Sequence, residues 1–190
     1  MNVKDYFDDV GRVADEFKKQ YTKILLVIEK LKEAKNKGQT VFFCGNGGSA
    51  GTSVHMAADL FKIGGVRAIS LTENSSLTSA IINDEGWEHL FTFQLKQLFK
   101  KGDILIAFSV HGGSGEDKAG AWSQNLLSAI EYVNKNGGTT IGFSGFDGGA
   151  MKKMCTISVV VPASTTPLVE SFHVVLEHLI SFSLSEGDRV

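Results

Sequence analysis

The chain has 190 residues, of which 43% are hydrophobic and 21% charged, and its formal net charge is −2. That profile fits a globular protein with one sizeable core, and so balanced a charge excludes broad nucleic-acid binding. No apolar run approaches the roughly 18–20 residues of a membrane span. The opening MNVKDYFDDV is too polar and acidic for a signal peptide. Cys44 and Cys155 both sit in apolar, strand-like runs and read as buried thiols of a reducing compartment. The expected location is the cytoplasm.

In chain order, residues 1–37 read as helix. Val3, Tyr6, Phe7, Val10, Val13, Ala14 and Phe17 recur at helical spacing, a second stripe runs through Ile24, Leu25, Ile28 and Leu31, and Gly38 is the stop. Short apolar runs then alternate with helical segments: TVFFC (Thr40–Cys44), RAISL (Arg67–Leu71), DILIAFS (Asp103–Ser109), TTIGFS (Thr139–Ser144) and TISVVVP (Thr156–Pro162). These runs are continuously apolar, which suits strands of a parallel sheet covered on both faces. The alternation predicts right-handed crossovers and a three-layer α/β sandwich. With two prolines, no linker-like stretch and no internal repeat, residues 1–190 are expected to form one domain.

In open parallel sheets, ligands bind beyond the carboxyl ends of the strands, so the loops after the strands matter most. The first is Gly45-Asn46-Gly47-Gly48-Ser49. Its glycines permit a tight turn and close backbone approach, and a helix starting near Ser49 would offer N–H groups to a phosphate or carboxylate. The alternative is a plain strand–helix turn capped by Ser49. The pattern is not the dinucleotide motif, because Ala50 stands where its third glycine belongs. The loop after the third strand, Ser109-Val110-His111-Gly112-Gly113-Ser114-Gly115, is again glycine-rich and hydroxyl-bearing. Two such loops on neighbouring strands can converge on one phosphate. His111 is otherwise a solvated loop residue. Phe146-Asp147-Gly148-Gly149 reads as a chain reversal.

GNGGS after the first strand, the serine–glycine loop after the third, DGG after the fourth and TP before the last helix together resemble the sugar isomerase (SIS) domain family and, within it, the phosphoheptose isomerases. The resemblance covers nearly the whole chain. It implies a flavodoxin-like five-stranded parallel sheet in the order 2-1-3-4-5, and assembly as a homotetramer through the N-terminal helical segment 1–37. It also implies conversion of sedoheptulose 7-phosphate to D-glycero-D-manno-heptose 7-phosphate through an enediol. That chemistry needs a base for the carbon-bound proton, an acid for the oxygens and a donor or metal for the developing oxyanion.

His55 and Asp59 are an i,i+4 pair on one helix face. In the resembled isomerases a histidine stands at the position of His55 and a glutamate at that of Asp59, and a glutamine and a histidine from the last helix complete the site. Aligning TPLVESFHVVLEH on that helix puts Glu170 at the glutamine and His178 at the histidine. The resemblance thus implies a zinc site at His55, Asp59, Glu170 and His178, with Asp59 as base, His178 as acid and Glu170 open to either role. Glu170 and His178 lie about 80° apart around a helix, and His173 with Glu177 is the competing pair. Phosphate and sugar are expected on Asn46, Gly47, Ser49, Ser109 and Ser114, with Asn83 and Asp84 of NDEG as further sugar contacts.

Four departures from the resembled pattern stand out. Asp59 is shorter than a glutamate, Glu170 is a carboxylate in place of an amide, Val110 and His111 replace hydroxyl residues, and GEDKAGAWSQ (115–124) looks like an insertion whose Trp122 suits a lid or an oligomer contact. They keep two alternatives open: a non-catalytic SIS protein that binds a partner, of the replication-initiator-associated type, and a sugar-phosphate sensor without turnover.

Overall fold

A computed structural model describes residues 2–113 and 123–185. The first 37 residues are two helices, α1 (Val3–Phe17) and α2 (Tyr21–Lys37), joined by a single tight turn over 18–20. Asn2 caps α1, and Gly38 ends α2 in the left-handed conformation. Then follow β1 (Thr40–Gly45), α3 (Gly48–Lys62), β2 (Arg67–Ser70), α4 (Ser75–Asp84), α5 (Leu90–Leu98), β3 (Ile104–Phe108), α6 (Gln124–Lys135), β4 (Thr139–Ser144), α7 (Met151–Met154), β5 (Ile157–Val160) and α8 (Thr166–Ser183).

All four strand pairings are parallel, and the order is β2-β1-β3-β4-β5, as expected. Alternate residues of β1 and β3 enter different cores. Val41, Phe43, Ile104, Ile106 and Phe108 join residues from α1, α2, α3 and α8. Phe42, Cys44, Leu105 and Ala107 join residues from α4, α5, α6 and α7. This two-sided burial is why the strands are apolar at nearly every position. Cys44 and Cys155 are both free thiols, and burial pushes both well above the ordinary thiol range. Among the described residues no helix is long and apolar enough to cross a membrane.

Two polar devices fix the frame. Gln20 donates from Nε2 to the Val160 carbonyl at 2.6 Å, and its Oε1 accepts from the Val160 N–H at 3.4 Å, so one side chain covers the open edge of β5. Asp103 is buried just before β3 and accepts from the Thr40 and Lys100 N–H groups, each at 2.8 Å. It ties the start of β1 to the turn entering β3. The helical stripe of α2 is only partly internal: Ile24, Ile28 and Leu31 are buried, whereas Leu25 is exposed.

Removing Asp103 strands the buried Thr40 N–H and the part-buried Lys100 N–H. Asp103→Ala is expected to lower stability by about 3 kcal/mol, from two hydrogen bonds to a charged acceptor, measured by urea denaturation. A loss under about 1 kcal/mol would show that the carboxylate is not a structural tie.

Candidate functional site

The turn from β1 into α3 runs through Gly47, at φ 59° and ψ −127°, a conformation open to glycine and costly for residues with a Cβ. No side chain caps α3; Gly47 is the N-cap, and Ser49 lies one residue inside the helix, its N–H donating to the Asn46 carbonyl. Asn46 and Ser49 form one wall of a cleft of about 130 Å³. The opposite wall is the loop after β3. There Ser109 accepts from the Gly113 N–H through Oγ at 3.1 Å, and Val110 and His111 face the same space. His111 packs its ring on Phe146, 4.2 Å between centroids. The turn after β4 also braces this loop, since Met151 donates its N–H to the Gly112 carbonyl.

Two more elements reach the cleft. Ser123, immediately before α6, lines it. Ser123 lies within the stretch 115–124 that reads as an insertion, which is why the sequence alone did not single it out; a serine just before an apolar helical run was the available signal. Glu170, from the first turns of α8, also lines the cleft. Its carboxylate lies against Gly48, where an added Cβ would collide with Glu170 Oε1. Ser114 and residues 115–122 of the expected insertion lie outside the described residues. Asn83 and Asp84 end α4 on the exposed surface, where Asn83 Nδ2 donates to Asp84 Oδ1 at 2.7 Å; neither lines the cleft.

A second cluster lies deeper along the same helices. His55 and Asp59 of α3 meet Glu177 and His178 of α8, and one ligand atom from each lies within 4.8 Å of the others. His55 Nδ1 is 3.6 Å and His178 Nε2 3.3 Å from Glu177 Oε2, and His55 Nε2 is 3.8 Å from Asp59 Oδ2. The imidazoles stand edge to face, 5.0 Å between centroids. Both histidine side chains are 48% exposed, whereas that of Glu177 is fully buried and neither of its oxygens has a hydrogen-bond partner. Burial pushes the Glu177 carboxyl up to about 7; the neighbouring His178 opposes the shift and Asp59 adds to it.

Glu170 is not in this quartet. It precedes Glu177 by seven residues on α8, two turns and roughly 10 Å along the axis. The two carboxylates share a helix face but serve different ends of it. His173 stays out as well. It is buried edge-on to Phe108 at 5.4 Å, neither ring nitrogen has a hydrogen-bond partner, and burial lowers its pKa to about 4, with the nearby Ser144 backbone opposing the shift.

The family model of the SIS domain matches residues 5–145. The chain belongs to the SIS domain family. Its relatives in that family include a phosphoheptose isomerase of Nitratiruptor sp., 39% identical over 172 residues that cover 88% of this chain and 85% of the relative. Another is phosphoheptose isomerase 2 of Campylobacter jejuni, 33% identical over 193 residues covering 97% and 91%. Among solved structures, phosphoheptose isomerase GmhA from Neisseria gonorrhoeae superposes with a TM-score of 0.84 at 27% identity, covering 96% of each chain. The part of this SIS chain that carries Glu170, Glu177 and His178 lies beyond the matched 5–145.

The donor set of the quartet fits a divalent ion. Two imidazoles and two carboxylates suit zinc, and the contacts of 3.3–3.8 Å are near the roughly 3.3 Å between ligands of a tetrahedral zinc with bonds of about 2.0–2.1 Å. Glu177 gives the metal-free protein a distinct pH signature. The folded state holds its proton up to about pH 7, the unfolded chain only to about 4.5. Folding therefore takes up a proton between these values, and stability falls as pH rises through that window. Glu177→Gln is expected to abolish this fall and to make the metal-free protein more stable than wild type above pH 7, measured by urea denaturation in chelator. An unchanged pH profile would show that Glu177 titrates normally.

Proposed function

We propose that the protein is an aldose–ketose isomerase of sugar phosphates, interconverting sedoheptulose 7-phosphate and D-glycero-D-manno-heptose 7-phosphate. The observation that carries this reading is the alignment of cleft and quartet along α3 and α8. Polar loops suited to a phosphate lie at one end, and an acid–base cluster lies about two helical turns further on, a separation that an extended seven-carbon sugar phosphate spans. The relatives named phosphoheptose isomerase support the same reaction class and substrate. A sensor would need only the cleft, so the quartet favours turnover.

In this reading the hydroxyls of Ser109 and Ser123 receive the phosphate, while Asn46 and Ser49 on the opposite wall, beside Glu170, meet the sugar, and the Gly47 turn lets backbone approach it. Anchoring that end presents the carbonyl end of the open-chain sugar to the quartet. Glu170, on the cleft wall, accepts hydrogen bonds from sugar hydroxyls. Asp59, whose partner His55 is the most distant of the paired contacts at 3.8 Å, takes the proton from carbon. His178 delivers a proton to oxygen, and Glu177, able to gain or lose a proton near neutral pH, stands beside both. Zinc held by His55, Asp59, Glu177 and His178 would supply positive charge for the carbonyl oxygen.

The protein is expected to act in the cytoplasm as a homotetramer. Apolar side chains left exposed on one chain support assembly: Val3 and Phe7 on α1, Val54 and Phe61 on α3, and Val175, Leu179 and Phe182 on α8, the last two groups beside the quartet. Light scattering that returned a monomer mass at micromolar concentration would contradict this.

Two assays test the chemistry. Wild type should convert sedoheptulose 7-phosphate to the aldose and bind one zinc per chain by calorimetry. His178→Ala should lower turnover by about 100-fold or more, as for loss of a general acid, and weaken zinc binding with it. Zinc affinity should also fall as pH drops below about 7, where Glu177 holds a proton. Full activity of His178→Ala together with no zinc uptake would remove the quartet from the mechanism. No turnover by the wild type would reject the reaction.

A further inference from the structure

We propose that Asn125 is a positioning residue for the substrate cleft: it presets the Asn46 amide and locks the β1–α3 turn to the start of α6. The inference rests on the cleft being the sugar-phosphate site. Asn46 and Asn125 are far apart in sequence, yet their amides form a reciprocal pair. Asn46 Nδ2 donates to Asn125 Oδ1 at 3.0 Å, and Asn125 Nδ2 donates to Asn46 Oδ1 at 3.0 Å. Asn125 is completely buried, and its Oδ1 takes a second hydrogen bond from the Leu126 N–H at 2.8 Å.

An amide oxygen accepts twice and an amide nitrogen donates twice. The Asn125 oxygen is therefore saturated, and the side chain is held by the first turn of its own helix. Asn46 keeps one N–H and one lone pair, and it lines the cleft. The turn that carries it has a positive-φ glycine next door and no side-chain cap, so the amide pair is what orients it. Ser123, two residues before Asn125, lines the same cleft, as does Leu126. One buried amide thus fixes the relative position of both walls before ligand arrives. That spares the ordering cost a loose turn would impose on binding. Loss of the pair would leave Asn46 free to rotate and the two walls free to shift against each other.

The test measures affinity for sedoheptulose 7-phosphate by calorimetry and steady-state kinetics on wild type, Asn125→Ala, Asn46→Ala and the double variant. Asn125→Ala is expected to weaken binding and raise KM by about tenfold or more, the scale of a small misplacement of a binding group. Its kcat should stay within about threefold, because the quartet lies on other helices. The double variant should be no weaker than the worse single one, since both substitutions break one interaction. If Asn125→Ala fails to fold, Asn125→Ser, which keeps a hydroxyl in the first turn of α6 but cannot reach Asn46, should show the same affinity loss. Wild-type affinity in a folded Asn125 variant, losses that multiply in the double variant, or failure of both Asn125 variants to fold would each overturn the positioning role while leaving the isomerase reading intact. Absence of binding by the wild type would overturn both, and that outcome is read on the wild type alone.

Discussion

Glu177 is a carboxylate carried fully into the seam between α3 and α8, with neither oxygen hydrogen-bonded. Water cannot reach it, and a lone buried charge is among the costliest features a fold can hold. The seam answers with whatever can neutralise it: a proton, which is why its carboxyl is pushed up to about 7, the two imidazoles at 3.3 and 3.6 Å, or a divalent ion that would draw on Asp59 as well. Each of these solutions is chemically active near neutral pH. A group kept only for packing would more simply be a leucine or methionine, so the retained carboxylate points to use.

The packing of α3 against α8 gives that cost a purpose. Both helices lie on the same face of the sheet and contribute to one core, and both begin at the carboxyl ends of strands. Their first turns therefore border the cleft, while their middle turns hold the quartet. The sheet supplies the rigid base, with Asp103 and Gln20 fixing the entry to β3 and the outer edge of β5. Such rigidity matters because groups that transfer protons must be held closely in place.

Much of the fold was legible in the sequence, and for a physical reason. A strand covered on both faces is apolar at nearly every position, so β1 and β3 stand out as continuous runs, whereas β2 and β5 at the edges are only partly buried, and Gly38 marks a helix end because only glycine takes that conformation easily. Strand order, by contrast, came from the resemblance to SIS domains; nothing in periodicity dictates it. The site was legible in part. His55 and Asp59 sit on one face because i,i+4 geometry is local. Matching α8 to the family position by position put Glu170 beside His178, but a helix brings residues together by angle and height, and Glu170 is two turns short of the quartet. Glu177 was visible only as a competitor, since an alignment carries residue type more readily than helical phase. The Asn46–Asn125 pair was not legible at all, because a contact between segments so far apart leaves no local pattern.

The position of Glu170 also changes where an anion belongs. The GNGGS turn suggests a helix start waiting for a negatively charged ligand, and α3 does begin there with no capping side chain. In the folded chain, however, Glu170 brings its own carboxylate against Gly48, the first residue of that helix, so the positive end of α3 already faces a negative group. A phosphate entering the cleft meets repulsion on that side and hydroxyls without charge on the other, at Ser109 and at Ser123 before α6. The same carboxylate that disfavours phosphate at α3 accepts hydrogen bonds from a polyol. One side chain thus polarises the cleft, setting the phosphate toward the start of α6 and the hydroxyl-bearing carbons along α3 and α8 toward the quartet.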